Sequence, residues 1–479
     1  MANIVVELAK YLMIALIGAY TFECFSVFVH HDIYRKKSVL LNQNILMFAL
    51  QAIAYLAMYL KTDEIKLLFF YLAQVVLLIA TILLYTLIYP RVSRLVVNNM
   101  CMLLCIGLIM ITRLDYDKAT KQFIIIVAAM TMSLIVPVII RKVKLLKDWT
   151  YVYAGVGIAA LIAVAVLGKT SDGAKLGFTI AGFGIQPSEF VKILFVFFVA
   201  SSFKKSTEFK NIVITTIIAA LHVLILVAST DLGAALIVFV VYLVMLYTAT
   251  KQPLYMLAGL LAGSGAAVVA YRFFSHVQTR VIAWQDPFAV YQSGGYQVCQ
   301  SLFAIATGSW FGMGLYNGLP TDIPVAAEDF IFSAISEEMG LIFALCLILI
   351  CLSCYIMFLN IAMQLRNRFY KQIALGLGTC YIFQVFLTIG GVTKFIPSTG
   401  VTLPLVSYGG SSILSTLIMF GIIQGLYILR EDEEEIIEQR KEEELRGVPR
   451  RAPAPKPGTP QKRKKTKTKF EEIEKQRIR

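Results

Sequence analysis

The chain has 479 residues, of which 58% are hydrophobic and only 15% are charged, with a mean hydropathy of +0.73 and a formal net charge of +14. An ordinary soluble domain is about 45–50% apolar and about 25% charged, so this composition excludes a soluble globular protein, a disordered chain and a collagen. Positive charge on so apolar a chain indicates loops held against an anionic membrane leaflet, and gives no reason to expect nucleic acid as a partner.

Apolar stretches of about 20 residues, the length that spans a bilayer, recur along the whole chain. The first lacks the basic region and cleavage site of a signal peptide, so it is predicted to be a span. Thirteen spans are predicted, at 8–29, 43–60, 67–88, 95–112, 122–140, 149–168, 188–203, 211–228, 232–250, 254–271, 339–360, 372–392 and 409–429. The predicted fold class is therefore an all-α polytopic membrane protein.

The loops between these spans differ in charge on the two faces. One face, with loops at 30–40, 88–95, 140–148, 203–211, 249–253 and 361–371, carries 16 Lys and Arg in 53 residues, against 10 in 122 residues on the other. The basic face is predicted to be cytoplasmic. This orientation leaves the N-terminus outside and sends the charged, Pro-containing tail at 431–479 into the cytoplasm.

The outer face holds the one long loop, 272–338, and, apart from the tail, most of the acidic side chains. Loops of this length are usually functional or disordered, and this one contains apolar and aromatic stretches that predict short helices at the membrane surface. Breaks rich in Gly, Pro and Ser also lie where helices start from this face. Chemistry is therefore expected at the outer interface.

Small and charged residues cluster at two of these helix starts. In the stretch 186–189, Pro187 suits a first helical turn and Glu189 suits the positive end of the helix dipole. Lys192 lies three residues further on, so it either pairs with Glu189 structurally or helps to bind an anionic head group. The stretch 407–412 either permits close helix packing or offers backbone N–H groups to a phosphate.

Two adjacent carboxylates, Glu328 and Asp329, precede an apolar run in the long outer loop. A carboxylate beside aromatic side chains at the membrane surface is suited to act as a general base, and the alternative is a solvated loop charge. If residues 329–338 are helical, Glu337 lies about 80° around the helix from Asp329 and Glu338 about 180°. At most one of these two shares a face with Asp329.

Several motifs follow one another in order along the chain. They are Gly173-Ala174-Lys175, Gln186-Pro187-Ser188-Glu189-Phe190 with Lys192, Asp231-Leu232-Gly233, Arg280 with Trp284-Gln285-Asp286-Pro287, Gly295-Tyr296-Gln297 with Gln300-Ser301, Gly312-Met313-Gly314, Asp329-Phe330-Ile331-Phe332 with Glu337-Glu338-Met339-Gly340, and Pro397-Ser398-Thr399-Gly400-Val401 through Leu403-Pro404 to Ser407-Tyr408-Gly409-Gly410-Ser411-Ser412. Together they resemble the FtsW/RodA/SpoVE family, whose members are polytopic peptidoglycan glycosyltransferases that polymerise lipid II. The resemblance implies a ten-helix core at 94–430, with three extra N-terminal helices within 1–93.

The resemblance implies that Asp329 is the catalytic base, acting on the acceptor 4-hydroxyl while polyprenyl pyrophosphate leaves the donor sugar with inversion. The departing phosphate charge requires cations. Substrate contacts are expected first from Lys192 and Arg280, then from Lys175 and Lys394, with Glu189, Gln186, Ser188, Ser411 and Ser412 beside them. The sequence contains no metal cluster, and leaves open an Mg²⁺ or Mn²⁺ ion bound with the lipid pyrophosphate.

The resemblance also implies the bacterial cytoplasmic membrane, a class B penicillin-binding protein as partner, and a role in division, elongation or sporulation. Two alternatives remain at this point. A lipid II flippase predicts polar residues that line a path through the membrane midplane, whereas a non-catalytic scaffold for a transpeptidase has no need of Asp329. The ionisable residues cluster at the outer ends of the spans, which favours the transferase.

Overall fold

A computed structural model of the chain describes residues 2–30, 32–171, 174–180 and 183–445. Sixteen α-helices and three short β-strands make up most of the regular structure of this part of the chain. The helices are α1 (Ala2–Val29), α2 (Ile33–Thr62), α3 (Lys66–Ile88), α4 (Arg94–Leu114), α5 (Tyr116–Lys142), α6 (Thr150–Leu167), α7 (Pro187–Lys205), α8 (Phe209–Ala228), α9 (Leu232–Thr250), α10 (Pro253–Phe273), α11 (Ser275–Gln285), α12 (Tyr296–Gly308), α13 (Ile331–Met339), α14 (Leu341–Gln364), α15 (Arg368–Val392) and α16 (Gly410–Leu445). Single short 3₁₀ or π turns occur at Lys144–Lys147, Tyr291–Gly295 and Pro320–Asp322.

Each predicted span corresponds to one long helix. Within the described residues, 12 helices are long and apolar enough to cross a membrane. The remaining predicted span, 188–203, is helix α7, which is less apolar because it carries Glu189, Lys192 and two lysines in its last turn. The prediction of an all-α multi-pass membrane protein is therefore confirmed, apart from one small sheet.

One predicted boundary, the start of the second span, is wrong, and the last span continues as helix into the expected tail. The loop expected at 30–40 is mostly helix, because the Asp32 side chain caps α2 by accepting a hydrogen bond from the Tyr34 backbone N–H at 3.1 Å. Helix α16 continues to Leu445, so the first part of the expected tail is helical, and residues 446–479 lie outside the described residues. The helical bundle forms one compact unit, Met1–Glu431, and a second unit begins at Asp432.

The long loop at 272–338 contains the predicted short helices, α11, α12 and α13. Every residue of α13 is buried, and α12, α14 and α4 all pack against it. The loop before α7 adds an antiparallel sheet that was not predicted, with strands β1 (Lys169–Ser171), β2 (Ala174–Ile180) and β3 (Phe183–Ile185) in that order. Lys169 pairs with Gly177, and Phe178 pairs with Ile185. Two of these strands have only three residues, too few for a readable alternation of side chains.

The three N-terminal helices are an integral part of the bundle. Helix α4 is buried along its whole apolar length, because α1, α2, α3, α5, α13 and α14 all pack against it. A mostly apolar helix that is enclosed in this way contacts protein instead of lipid on every side.

Buried hydrogen bonds fix the N-terminal helices against this central helix. The Asn99 amide oxygen accepts from the Tyr20 hydroxyl at 3.1 Å, and the Asn99 amide nitrogen donates to Ser353 Oγ at 3.2 Å. Asn98 next to it donates to the Gln43 side-chain oxygen at 3.0 Å. In a bilayer, where an unsatisfied polar group is costly, such bonds specify one arrangement of α1, α2, α4 and α14.

Candidate active site

Asp329 lies on the wall of a cavity of about 410 Å³. It occupies the position just before the cap of α13, and the next two residues, Phe330 and Ile331, are buried in the core. Burial of these apolar neighbours holds the carboxylate at the cavity edge, where it is only half-buried. The other lining residues come from α11, from the start of α12 and the turn before it, from the loop before α13, and from the end of α15 and the segment after it. They are Thr279, Arg280, Ala283, Trp284, Gly294, Gln297, Val298, Val325, Glu328, Phe330, Gly391, Lys394, Ile396, Ser398 and Gly400.

Arg280 faces the same cavity from α11. Its Nη1 donates to the Ser398 carbonyl oxygen at 3.2 Å. Gly400 lies between Arg280 and Asp329: a Cβ atom placed there would be 3.5 Å from Arg280 Nη2 and 3.5 Å from Asp329 Oδ2. Gly400 has φ +70°, a backbone conformation that suits glycine, so the chain keeps this space open without strain. Burial lowers the pKa of Arg280, although the nearby Asp329 and Asp231 carboxylates oppose the shift.

Lys394 adds a second cation to the wall. Its backbone carbonyl accepts a hydrogen bond from Trp284 Nε1 at 3.1 Å, which ties the segment after α15 to α11. The Lys394 ammonium has no ion-pair partner among the residues that the structure describes. The cavity therefore combines two carboxylates, Asp329 and Glu328, with a guanidinium and an ammonium group.

The loop that carries Asp329 is held from the side of α5. Lys118 pairs with Glu328 at 3.2 Å, and the Ser407 hydroxyl donates to the Glu328 carbonyl oxygen. The Gln122 side chain donates to the Ser407 carbonyl at 3.0 Å and accepts from the Gly409 N–H at 3.2 Å. These contacts fix the 403–409 segment against the backbone just before Asp329.

Glu189 and Lys192 form the buried ion pair that their spacing permits. Their charged atoms lie 2.9 Å apart, and Lys192 Nζ also donates to Gln384 Oε1 at 2.8 Å. Ser415 donates to Glu189 at 3.0 Å. Lys192 is 2% exposed and is not among the cavity-lining residues. Its structural role is thus visible, whereas its role in substrate binding stays a prediction.

The other predicted polar residues join helix ends to one another. Ser188 donates to Asp231 Oδ2 at 2.8 Å, and the Gln186 backbone N–H donates to Ser411 Oγ at 2.8 Å. Ser412 shares a hydrogen bond with Thr402 at 2.7 Å. None of these residues lines the Asp329 cavity as described. Lys175 belongs to strand β2, and its side chain lies outside the described residues.

The second carboxylate pair of the same loop, Glu337 and Glu338, has a structural role. Glu338 is fully buried and pairs with Arg113 of α4 at 2.8 Å, while it also accepts the Tyr316 N–H at 3.0 Å. Glu337 accepts the Leu319 N–H at 2.8 Å. Burial raises the pKa of Glu338 to about 7, against the opposing attraction of Arg113. This pairing could not be predicted from local sequence, because Arg113 lies in a distant segment.

The carboxylates of the cavity wall are the groups that could hold a metal ion there. In the described part of the chain, no group of three or more His, Cys, Asp or Glu side chains is arranged to hold a metal ion. Glu328 and Asp329 are the carboxylates of the cavity wall, and Glu328 is already paired with Lys118.

The sequence matches the family model described as "Cell cycle protein" over residues 93–431. Peptidoglycan glycosyltransferase RodA of Mycobacterium tuberculosis is 34% identical over 363 residues, which cover 70% of this chain and 77% of the relative. The protein of the same name in Mycobacterium leprae is 33% identical over 360 residues, with the same coverage. Probable peptidoglycan glycosyltransferase FtsW of Aliivibrio salmonicida is 32% identical over 275 residues, covering 54% of this chain and 67% of the relative.

Solved structures show the same architecture. A chain from a structure described as "Structural coordination of polymerization and crosslinking by a peptidoglycan synthase complex" matches with a TM-score of 0.61 and 21% identity, covering 71% of this chain and 98% of that one. The rod shape determining protein RodA of Thermus thermophilus matches with a TM-score of 0.53 and 20% identity, covering 70% and 96%. At these identities the likeness establishes the fold alone.

Proposed function

Because the chain belongs to the FtsW/RodA/SpoVE family of cell cycle proteins, we propose that it is a peptidoglycan glycosyltransferase that polymerises lipid II. The relatives named peptidoglycan glycosyltransferase cover most of the chain and support the reaction class. The single observation that carries the mechanism is that Asp329 and Arg280 face one cavity across Gly400. A volume of about 410 Å³ is within the usual range for small-molecule sites, and suits the reacting sugar and its phosphate.

In this proposal Asp329 is the general base. Its carboxylate takes the proton of the acceptor sugar 4-hydroxyl as the oxygen attacks the donor C1. The new C1–O bond forms while the bond from C1 to the pyrophosphate oxygen breaks, and attack from the opposite face inverts the anomeric centre. Pyrophosphate leaves as a stable anion, so one carboxylate suffices where a glycosidase needs two.

Arg280 and Lys394 supply the positive charge for this leaving group. Both line the cavity, and a partly desolvated guanidinium interacts more strongly with developing phosphate charge than one in water does. The hydrogen bond from Arg280 to Ser398 orients the guanidinium without occupying all its donors. Lys394 joins Arg280 in this role because both line the cavity, while substrate binding by Lys192 stays a prediction.

Reconstitution of the purified full-length protein with lipid II and a transpeptidase partner tests the base. We expect Asp329→Asn to reduce glycan polymer by at least about 100-fold, the usual contribution of general base catalysis. Asp322→Asn is the matched control, since it removes an exposed carboxylate of the same loop that does not line the cavity, and it should keep most of the activity. Wild-type polymer from Asp329→Asn would refute the assignment. Absence of polymer from the wild type under all conditions would favour the flippase or scaffold instead.

We further propose that any Mg²⁺ or Mn²⁺ in the reaction arrives with the lipid pyrophosphate, since two cationic side chains already face the cavity. A chelator titration of the same assay tests this. If polymerisation stops in EDTA and returns only with metal added to lipid II beforehand, the ion belongs to the substrate. Metal that stays with the washed protein in the absence of lipid would contradict it.

We propose the bacterial cytoplasmic membrane as the location, with residues 1–93 as an added N-terminal segment, 94–430 as the catalytic core and 431–479 as a cytoplasmic tail. The N-terminus then lies outside, on the side of the Asp329 cavity. A class B penicillin-binding protein is the proposed partner, supported by the description of a matching structure as a peptidoglycan synthase complex. Accessibility of tags at the two ends in intact cells tests the orientation, and co-purification tests the partner.

A further inference from the structure

A second, smaller cavity lies at the end of the bundle away from Asp329. Its volume is about 160 Å³, and its walls come from the start of α2, the end of α3 and the start of α4. Helix α4 contacts α13 through Arg113 near its last residue, and a helix of its length is roughly 30 Å long. The small cavity is therefore about one hydrocarbon thickness from the Asp329 side, at the opposite membrane interface. The lining residues are Lys37, Leu40, Leu41, Asn44, Ile82, Thr86, Arg94, Val97 and Asn98.

Two cations of this cavity, Lys37 and Arg94, have no acidic partner among the described residues. Lys37 and Arg94 are both exposed, and neither forms an ion pair or a side-chain hydrogen bond within the described chain. No acidic residue is among the lining residues that the structure describes. The cavity thus concentrates uncompensated positive charge from two different helices, which is the electrostatic requirement of a phosphate.

The side chain of Asn44, which lines the same cavity, also lacks a hydrogen-bond donor to its oxygen among the described residues. The side-chain oxygen of Asn44 is buried and accepts no hydrogen bond from any described residue. A buried acceptor of this kind costs free energy unless a donor reaches it. A hydroxyl group carried beside the phosphate would satisfy it, since the phosphodiester of a lipid has no hydrogen of its own to give.

The surroundings of the cavity are apolar and open to lipid. The apolar residues of its wall are Leu40, Leu41 and Ile82. The outward faces of α2 and α3 expose large hydrophobic side chains, such as Leu41, which is 60% exposed, and Leu87, which is 73% exposed. In a membrane these surfaces contact acyl chains. A ligand with a phosphate at one end and hydrocarbon at the other fits both features at once.

We propose that this cavity, formed with the N-terminal helices, binds the headgroup of an anionic glycerophospholipid. The phosphate lies between Lys37 and Arg94, a headgroup hydroxyl donates to Asn44, and the acyl chains follow the exposed faces of α2 and α3. Free phosphate offers negative charge and a hydroxyl but no hydrocarbon. The proposal is independent of the glycosyltransferase activity, since it concerns the opposite interface.

Native mass spectrometry of the purified full-length protein tests the site, with phosphatidylglycerol as the probe and phosphatidylcholine as the zwitterionic reference. The wild type should retain phosphatidylglycerol in preference to phosphatidylcholine. Lys37→Gln/Arg94→Gln should bind it about 30-fold more weakly, since each cation near an anionic headgroup contributes about fivefold in affinity. The matched control is Arg35→Gln/Lys36→Gln, which removes the same amount of charge outside the cavity, from the helical turn that also carries Lys37.

The outcomes separate the possible sources of the phosphate. Retention that survives 10 mM inorganic phosphate, and that the control variant keeps, supports a lipid site. Displacement by inorganic phosphate would overturn it in favour of a soluble ligand. Equal loss in the control variant, or no preference over phosphatidylcholine in the wild type, would reduce the effect to general attraction by basic residues and overturn the proposal. A symmetric gel-filtration peak for every variant verifies that each remains folded.

Discussion

The buried pair of Arg113 and Glu338 has a stability contribution that a small set of variants can measure. Arg113 is 10% exposed and Glu338 is 0% exposed, and their charged atoms lie 2.8 Å apart. The Arg113 guanidinium also lies over the Tyr316 ring, 4.1 Å from its centroid. Removing one partner of a buried pair typically costs about 3–5 kcal/mol, because the other charge stays buried without compensation. We expect this cost for Arg113→Leu.

The double variant Arg113→Leu/Glu338→Gln should lose much less, because it leaves no charge behind. Burial raises the pKa of Glu338 to about 7 in spite of the arginine, so the cost of desolvation exceeds the attraction between the two groups. Replacing such a pair by neutral groups is often close to neutral in free energy. One kcal/mol shifts the melting temperature of a domain of 150–250 residues by about 2–4 °C and that of a larger chain by less. The single variant should therefore melt roughly 5 °C lower or more, and the double variant near the wild type.

Thermal unfolding of the purified protein in one detergent at pH 8 measures the difference, with Glu338→Gln alone as the control for the carboxylate. Equal losses in the single and double variants would refute the reasoning. They would mean that Arg113 stabilises the protein by packing on Tyr316 rather than by compensating Glu338.

Two further predictions concern the titration of Glu338 and the close packing at Gly233. Between about pH 4.5 and 7, the folded protein keeps a proton on Glu338 that the unfolded chain releases, so the free energy of unfolding falls as pH rises through this window. The melting temperatures at pH 5 and pH 8 should therefore differ more for the wild type than for Glu338→Gln. Equal differences in the two proteins would contradict this prediction. At Gly233, an added Cβ would lie 2.2 Å from Val401 Cγ2, so Gly233→Ala should displace the segment that holds Arg280 and reduce polymer about tenfold or more. Gly18→Ala, where nothing lies within 4 Å of the added atom, should polymerise normally, and equal activity of the two variants would contradict the prediction.

The sequence predicted the helices well because bilayer spans have a strong signal of their own. The start of α2 was missed because Arg35, Lys36 and Lys37 look like a loop, although their long stems can follow a helix to the polar interface. The sheet before α7 was missed because its shortest strands have no detectable period. Such features depend on the surrounding structure more than on composition.

The candidate site could be predicted only in part. The motif order indicated Asp329 and Arg280, yet nothing in their spacing says that Gly400 brings them to one cavity. The spacing of Glu189 and Lys192 predicted their pair, but not that Gln384 would occupy a further position on the ammonium group. Tertiary partners of this kind come from helices distant in the chain, so local pattern cannot reveal them.

The enclosure of α4 has a consequence for biosynthesis. Chains are made from the N-terminus, so α1, α2 and α3 enter the membrane before α4 does. Asn98 and Asn99 would meet lipid as unsatisfied amides, but Gln43 and Tyr20 are already present to receive them. Ser353 of α14 completes the arrangement only after a further 250 residues or so have been made. During that interval the first three helices act as a folding template, which shelters the central helix until its later neighbours are synthesised.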